Sequence, residues 1–241
     1  MEQNNISILC TRPLPLLLVE EAAAAGITID ELSFIDTESI LSVEVQQEIQ
    51  LASTETATVV FTSMNAVDAV TIFLDGHQPD WSIYSIGTAT ARLITTYFGE
   101  EKIAATASDA ASLAAKIAED RFTDEVIFFC GDQRRDELPE ILRQNNIEVN
   151  EIVVYQTIAT PHKIDKAYYG ILFFSPSAVQ SFFSKNKITD RTILFAIGNT
   201  TANEIRKYLP HGKAGSTNKI IISDQPGKEN LVAKMIEYFA P

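Results

Sequence analysis

Residues 147–157, Ile-Glu-Val-Asn-Glu-Ile-Val-Val-Tyr-Gln-Thr, form a strand-like stretch that has a second copy near the start of the chain. The copy is residues 27–37, Ile-Thr-Ile-Asp-Glu-Leu-Ser-Phe-Ile-Asp-Thr, 120 positions earlier. Alternating apolar and polar residues in the earlier copy predict a strand, and the later copy predicts a strand that leads into a linker. The copies differ in chemistry where Ile35 corresponds to Tyr155. The rest of the chain is organised around these two stretches, which we call the first crossing (27–37) and the second crossing (147–157).

Other blocks of sequence recur in the same order along the chain. Apart from the crossings, the recurrences are 61–67 as 173–179, 86–91 as 197–202, 113–117 as 231–235, and Cys10 as Cys130. Five ordered recurrences at nearly constant separation are the signature of an internal repeat. The chain is therefore predicted to contain two copies of a unit of about 120 residues.

Strand patterns alternate with helical patterns through both copies. Short apolar runs predict strands at 6–10, 27–34, 58–61, 83–86, 104–105, 126–130, 170–174, 193–197 and 219–222. Helical patterns cover 14–25, 40–51, 62–74, 87–98, 110–119, 135–145 and 228–239, and two further helices are predicted to begin at Pro176 and Thr201. Strands that alternate with helices of this length indicate parallel sheets. We predict an α/β protein with two similar domains, each a parallel sheet flanked by helices.

Charge and composition exclude several classes of protein. The 241 residues carry a net charge of −13 at pH 7, and nucleic-acid binding needs clustered Lys and Arg instead. No run approaches the ~18 apolar residues of a membrane span, so no membrane partner is expected. The opening residues 1–5 lack the basic region and apolar stretch of a signal peptide, which predicts a cytoplasmic protein. No coiled-coil pattern or large apolar stripe requires a second subunit, and we expect a monomer.

Cys10 and Cys130 each end an apolar strand pattern. Two thiols in this setting are expected to stay reduced and packed, with a nucleophile or a disulfide as the alternative.

Polar turns that follow the strands are the candidate ligand-binding elements. Each combines small or hydroxyl residues with the start of a helix, and the free backbone N–H groups there favour anions. The turns are 11–12, 62–63, 87–90, 131–135, 175–177 and 198–201. Each also has an ordinary explanation as a helix cap: Ser175 precedes Pro176, and Thr201 with Glu204 fits a capping box. Six similar turns favour a ligand site, because ligands of parallel sheets gather outside the carboxyl ends of the strands.

Arginines lie on two of these turns. Arg12, Arg134 and Arg135 are candidates to pair with carboxylates, or are solvated surface residues. Asp132, Asp136 and Glu137 crowd the second group and offer simple neutralisation as the alternative.

The sequence lacks the marks of a metal or cofactor site. His77, His162 and His211 are scattered without metal-ligand spacing, and no glycine-rich nucleotide fingerprint or Gly-x-Ser-x-Gly elbow occurs. We therefore expect a site without metal or cofactor that binds through backbone donors and hydroxyls. Tyr155 has two interpretations: a packed strand-end tyrosine, or a functional residue that replaces the Ile35 of the first crossing.

The combined pattern resembles the uroporphyrinogen-III synthase family over nearly the whole chain. The residues that carry the resemblance are Thr11-Arg12-Pro13, Phe61-Thr62-Ser63-x-Asn65-Ala66-Val67, Ile86-Gly87-x-x-Thr90-Ala91, Gly131-x-x-Arg134-Arg135-x-x-Leu138, Val154-Tyr155-x-Thr157, Phe174-Ser175-Pro176-Ser177-Ala178-Val179 and Ile197-Gly198-x-Thr200-Thr201-Ala202. Each motif alone is weak, and their order and spacing together are specific.

The resemblance implies a different division of the chain from a simple tandem repeat. A tandem repeat would give successive domains at about 1–120 and 121–241. The family instead builds one domain from both chain ends and one from the middle, which here implies 1–35 with 160–241, and 38–156. Residues 36–37 and 157–159 would be hinge linkers, with the active-site cleft between the domains.

The resemblance also implies a reaction. The family closes hydroxymethylbilane, a linear tetrapyrrole with eight carboxylates, to uroporphyrinogen III, with loss of water, inversion of the last pyrrole ring and no metal or organic cofactor. Tyr155 would be the general acid. The residues implied to bind substrate are Arg12, Thr62, Ser63, Thr90, Arg135, Ser175, Ser177, Thr200 and Thr201.

Two alternatives of another class stay open at this point. One is a non-catalytic tetrapyrrole-binding or regulatory module on the same fold, since fold does not fix function. The other, a pair of sugar- or nucleotide-binding lobes, is disfavoured by the absent glycine fingerprints and the acidic composition.

Overall fold

A computed structural model describes residues 6–120, 123–209, 218–225 and 227–239. The expectations for residues 1–5 and His211 lie outside these ranges. The chain divides into two compact units: unit 1 combines residues 1–36 with 158–241, and unit 2 is Thr37–Thr157. In the described ranges, no helix has both the length and the apolar character needed to cross a membrane.

Strands and helices alternate along the described chain. The strands are β1 Ile6–Cys10, β2 Ile27–Glu31, β3 Ile35–Ser39, β4 Ala57–Phe61, β5 Trp81–Ile86, β6 Ile103–Ala107, β7 Glu125–Gly131, β8 Glu148–Ala159, β9 Gly170–Phe173, β10 Ile193–Ala196 and β11 Ile220–Ile222. The helices are α1 Leu16–Ala24, α2 Val43–Ser53, α3 Met64–Leu74, α4 Thr88–Phe98, α5 Ala110–Glu119, α6 Glu137–Gln144, α7 Pro176–Lys185, α8 Asn199–Tyr208 and α9 Lys228–Phe239.

The sheet of unit 2 has the strand order β3-β8-β7-β4-β5-β6. The pairs from β8 to β6 are parallel. The chain runs outward from β4 through β5 to β6, and then returns to the other side of β4 as β7 and β8. The order therefore reverses between β4 and β7, and in sheets of this kind ligands bind at that switch point, outside the carboxyl ends of the strands.

The sheet of unit 1 repeats this order with different parts of the chain. Its order is β11-β10-β9-β1-β2, and its pairs are parallel. Strands β9, β10 and β11 take the places of β4, β5 and β6, while β1 and β2 take those of β7 and β8. The switch point of unit 1 consequently lies between β9 and β1. Parallel sheets flanked by helices are confirmed, and the sequence recurrences fall at matching positions in the two sheets.

The two crossings fold differently at one point. The second crossing from Glu148 onward lies in a single strand, β8. In the first crossing β2 ends at Glu31, so the predicted strand to Phe34 is too long. Phe34 is fully buried and packs edge-on against Phe182, with ring centres 5.2 Å apart. Because this ring is buried in the core, the chain leaves the sheet of unit 1 after β2 and then forms β3.

Strands β3 and β8 run antiparallel. The amide of Ile40 donates to the carbonyl of Val154, and the amide of Thr160 donates to the carbonyl of Phe34. Residue numbers therefore rise along one strand as they fall along the other. The chain passes between the two units in these two strands.

Helix starts also depart from the predictions. Helix α1 begins after Pro15, which occupies its N-cap, and α2 begins after Ser42, whose hydroxyl accepts from the amide of Val45 at 3.3 Å. Helix α8 begins at Asn199, two residues before the predicted Thr201.

Both cysteines are buried and free, which confirms their predicted packing role. Burial raises the pKa of Cys10 to about 12 and the pKa of Cys130 to about 11. Both thiols are therefore protonated at neutral pH and poorly suited to nucleophilic chemistry.

Candidate functional site

Ser63 and Tyr155 meet at the switch point of unit 2. Ser63 follows β4 as the N-cap of α3, and its Oγ accepts from the amide of Ala66 at 3.2 Å. The same hydroxyl donates to the phenolic oxygen of Tyr155 at 3.1 Å. Because Ser63 donates in this bond, the phenolic proton of Tyr155 can be directed at a ligand. The ring is partly exposed and packs on the apolar core of unit 2.

The absence of a side chain at Gly131 leaves the space that the Tyr155 ring occupies. The two residues are partners in the β7–β8 ladder, where the register shifts between Cys130 and Gly131. A Cβ atom on Gly131 would lie 2.3 Å from Cζ of Tyr155 and 2.7 Å from its hydroxyl oxygen. Such irregularities re-aim side chains at strand ends. The sequence placed Gly131 in a polar turn but did not indicate that its missing side chain is what admits the ring.

Tyr155 also lines a cavity of about 200 Å³ within unit 2. The other lining residues are Thr37, Glu38, Ser39, Asn65 and Asp68. Two carboxylates give this cavity an acidic character. The side-chain Nε2 of Gln156 donates to Glu38 at 3.5 Å, and the hydroxyl of Tyr97 donates to Asp68 at 3.5 Å.

Sequence reasoning missed the acidic side of this cavity. Asn65 and Asp68 are one helical turn apart on α3, directly after the Ser63 turn, so the spacing was a usable signal. Larger cavities, of about 480 to 570 Å³, occur on the described part of unit 2 and are lined by none of the predicted site residues, although one of them shares Asp68 with the Tyr155 cavity.

The arginines after β7 have separate roles. Arg134 forms ion pairs with Asp136 and Glu151, so its charge is already neutralised. Arg135 is exposed and forms no ion pair with any described residue. Asp132 accepts from the amide of Thr157 at 2.9 Å, so its carboxylate is bound to the second crossing. Of the two arginines, Arg135 is the one whose charge can meet a ligand.

The switch point of unit 1 has a related arrangement. Ser175 caps α7 by accepting from the amide of Ala178 at 3.2 Å, and Ser177 donates to Ser175 at 3.4 Å. Arg12 is exposed, and its guanidinium carbon lies 5.8 Å from the centre of the Phe174 ring. Both serines are partly exposed, as is Thr62 at the equivalent turn of unit 2.

Two predicted threonines point inward. Thr90 on α4 is 5 % exposed and Thr201 on α8 is 3 % exposed, whereas Thr200 is exposed. Each buried threonine is the third residue of its helix, on the face that packs against the sheet. We therefore treat Thr90 and Thr201 as supports of their turns.

The capping box of Thr201 and Glu204 does not form. Gly198 occupies the N-cap of α8 without a side-chain bond. Glu204 instead accepts from Gln180 at 3.1 Å and from Lys207 at 2.6 Å. The prediction was wrong because the helix begins earlier, which moves Thr201 out of the cap position.

The two histidines within the described ranges, His77 and His162, take part in ordinary packing. A ring nitrogen of His77 lies 3.3 Å from the carbonyl of Ser53, and the His162 ring meets Phe34 edge-on at 5.6 Å. Within the described ranges, no group of three or more His, Cys, Asp or Glu residues is placed to hold a metal ion.

The fold and the site define a class: a duplicated α/β protein with serine helix caps at both switch points, an exposed arginine on a turn of each unit and a tyrosine beside the cap of unit 2. Residues 17–232 match the family described as uroporphyrinogen-III synthase HemD. The match covers most of the chain, and the chain therefore belongs to the uroporphyrinogen-III synthase family, which confirms the resemblance. Members of this family are cofactor-independent cyclising lyases of heme biosynthesis.

Solved structures share the fold. A uroporphyrinogen-III synthetase from Helicobacter pylori is 15% identical, with a TM-score of 0.66 over 97% of this chain and 99% of that one. A mutant uroporphyrinogen III synthase from the extremely thermophilic bacterium Thermus thermophilus is 14% identical, with a TM-score of 0.58 over 97% of each chain. At these identities the likeness concerns the fold.

Proposed function

We propose that this chain closes hydroxymethylbilane to uroporphyrinogen III, with loss of water and inversion of the last pyrrole ring. The observation that carries the proposal is the Ser63–Tyr155 hydrogen bond at the switch point of unit 2. The substrate also closes without an enzyme, but without inversion. A catalyst must therefore mainly impose geometry and help the hydroxyl to leave.

Tyr155 is the proposed proton donor. Its phenolic proton passes to the hydroxyl at the end of the chain, the carbon–oxygen bond breaks, and water departs with the electron pair. The donor bond from Ser63 stabilises the phenolate that forms. Inversion requires an exchange of bonds: the carbon that lost water bonds the pyrrole carbon that already carries the last bridge, this older bridge bond breaks, and the freed bridge carbon bonds the hydrogen-bearing carbon on the other side of the same pyrrole. That carbon then loses its proton, which restores the phenol. Proton transfer of this kind contributes about 10²- to 10⁴-fold to a rate.

The acidic cavity beside Tyr155 suits the other product of this step. Departure of the hydroxyl leaves a positive charge spread over the pyrrole. Glu38 and Asp68 line the cavity that Tyr155 borders, so their carboxylates would stabilise that charge. The same carboxylates repel the substrate's own acid groups, which favours entry of the hydroxymethyl end rather than a carboxylate side chain.

Asp68→Asn is expected to lower kcat about tenfold with little change in KM, because it removes one charge that acts mainly on the cationic intermediate. Steady-state kinetics on purified protein would measure this. Glu48→Gln, an exposed charge change on α2 of the same unit, is the matched control and should leave kcat unchanged. Equal losses in both variants would attribute the effect to net charge and refute the role of Asp68.

Substrate carboxylates are proposed to bind the exposed parts of the turns. Backbone N–H groups at helix starts act locally, so they attract anions despite the acidic surface. The side chains proposed to assist are Arg12, Thr62, Ser63, Arg135, Ser175, Ser177 and Thr200.

Isomer analysis of the product tests the proposed function. Purified protein is incubated with hydroxymethylbilane, and the oxidised products are separated into the two uroporphyrin isomers. Formation of the inverted isomer, faster than spontaneous closure, is the expected result. A protein that yields only the uninverted isomer at the spontaneous rate would be a binding module and not the catalyst.

A further inference from the structure

Arg12 and Lys228 lie together at the carboxyl end of β1, although they come from opposite ends of the chain. Lys228 begins α9, and its Nζ donates to the carbonyl of Pro13 at 2.9 Å. Arg12 is the residue before Pro13, and its guanidinium lies over the Phe174 ring. All four residues belong to unit 1.

The two cations are close enough to repel one another. The pKa of Lys228 is lowered, first by partial burial and next by the charge of Arg12. Cys10, Glu229 and Glu31 are the nearby groups that oppose this shift, and they do not overcome it. Cys10 stays protonated at neutral pH, so its thiol supplies no negative charge there.

No described carboxylate comes within ion-pair distance of either cation. Glu31, one of the two acids that act on Lys228, accepts instead from the amide of Leu14. The carbonyl of Pro13 takes one of the three donors of Lys228, which leaves two for a ligand. Two adjacent cations without an ion-pair partner, on a chain with a net charge of −13, indicate a binding site for an anion.

We propose that Arg12 and Lys228 jointly hold one carboxylate of the substrate. The inference rests on the proposed function for the identity of the ligand and adds Lys228, which the motifs did not indicate, to the binding residues. Arg12 offers a planar pair of donors and Lys228 a point charge fixed by Pro13, and a shared carboxylate removes their mutual repulsion. The position of Lys228 in the first turn of α9 adds the favourable end of the helix dipole.

Lys228→Met tests the site in the full-length protein. It keeps most of the side-chain length and removes the charge. We expect KM for hydroxymethylbilane to rise about tenfold, with kcat within twofold of wild type, because the lost contact serves binding alone. Lys228→Arg should restore most of the affinity. Lys234→Met is the matched control on the same helix, where Lys234 pairs with Asp224 and Glu237, and it should leave KM unchanged.

A double-mutant cycle with Arg12→Met tests the shared carboxylate. If both cations hold one group, the two substitutions together should cost less than the product of their separate effects. If the effects of the two substitutions on KM multiply fully, the two cations do not share one carboxylate. An unchanged KM in Lys228→Met, or an equal rise in Lys234→Met, would overturn the site itself.

A binding measurement separates this inference from the proposed function. Uroporphyrin III, an octacarboxylate, is titrated against each variant and followed by its fluorescence, and melting temperatures confirm that the variants are folded. Weaker binding by Lys228→Met supports the carboxylate site even if the wild-type protein forms no inverted isomer. Equal binding by wild type and Lys228→Met refutes the site even if the wild-type protein is fully active.

Discussion

Tyr155→Phe is expected to lower kcat by about two orders of magnitude or more, because the substitution removes the proposed proton donor and keeps the ring. KM should change little, since the ring remains on the apolar core of unit 2. Single-turnover assays of hydroxymethylbilane consumption, with spontaneous closure subtracted, would measure the loss. The inverted isomer should fall in proportion, because the uncatalysed route competes for the substrate.

The stability of Tyr155→Phe must also be measured, so that a loss of kcat can be distinguished from a loss of folded protein. In the folded protein, Tyr155→Phe removes only the hydrogen bond that Ser63 donates. One such bond contributes about 1 kcal/mol to the free energy of unfolding. Ser63 keeps its cap bond to Ala66, so α3 should be unaffected. Tyr84→Phe is the matched control: its hydroxyl donates to Asp120 at 3.3 Å in the same unit, away from the Tyr155 cavity. A kcat within threefold of wild type for Tyr155→Phe would remove Tyr155 from the mechanism.

Local patterns account for most of what the sequence predicted correctly. Short apolar runs such as 57–61 and 125–131 are buried on both faces of the sheet, so their composition alone marks them as strands. The helix 228–239 begins and ends where its periodicity predicts. The recurrences also predicted that two similar sheets occur, because each block occupies the same place in its own sheet.

Long-range packing accounts for what local patterns did not reveal. The break after β2 depends on burial of Phe34 against Phe182, a residue distant in sequence, and alternation alone cannot reveal it. Whether Thr90 and Thr201 face the sheet depends on the residue at which each helix begins. Helix ends are the part of a helix that sequence predicts least well. Lys228 needed the fold, because only the sheet order brings α9 beside the turn after β1.

The contrast between Ile35 and Tyr155 was the most informative sequence feature of the site. This contrast did not show which residue pairs with Tyr155 in the sheet. Since Cys10 corresponds to Cys130, Thr11 corresponds to Gly131. Gly131 pairs with Tyr155, whereas the carbonyl of Thr11 accepts from the amide of Phe34 and Ile35 belongs to β3. Thr11 is fully buried and donates to the carbonyl of Leu172 at 2.8 Å. Unit 1 therefore has a buried threonine at the position that corresponds to Gly131 of unit 2.

Gly131→Ala is therefore expected to lower kcat by about tenfold to a hundredfold, although Gly131 contacts no reacting atom in the proposed mechanism. The backbone of Gly131 is not in the left-handed region, so alanine tests space alone. A methyl group 2.3 Å from Cζ of Tyr155 must displace the ring from Ser63, and crowding of this kind costs about 1–3 kcal/mol of stability.

Two double variants separate positioning from general damage. Adding Gly131→Ala to Tyr155→Phe should cause no further loss of kcat, because the hydroxyl that it misplaces is already gone. Adding it to Tyr155→Ile replaces the ring by the smaller side chain that the first crossing carries at the corresponding position, Ile35. That variant should recover melting temperature relative to Gly131→Ala while remaining inactive. If Gly131→Ala retains wild-type kcat, or if its effect multiplies fully with that of Tyr155→Phe, then the glycine does not act through the tyrosine.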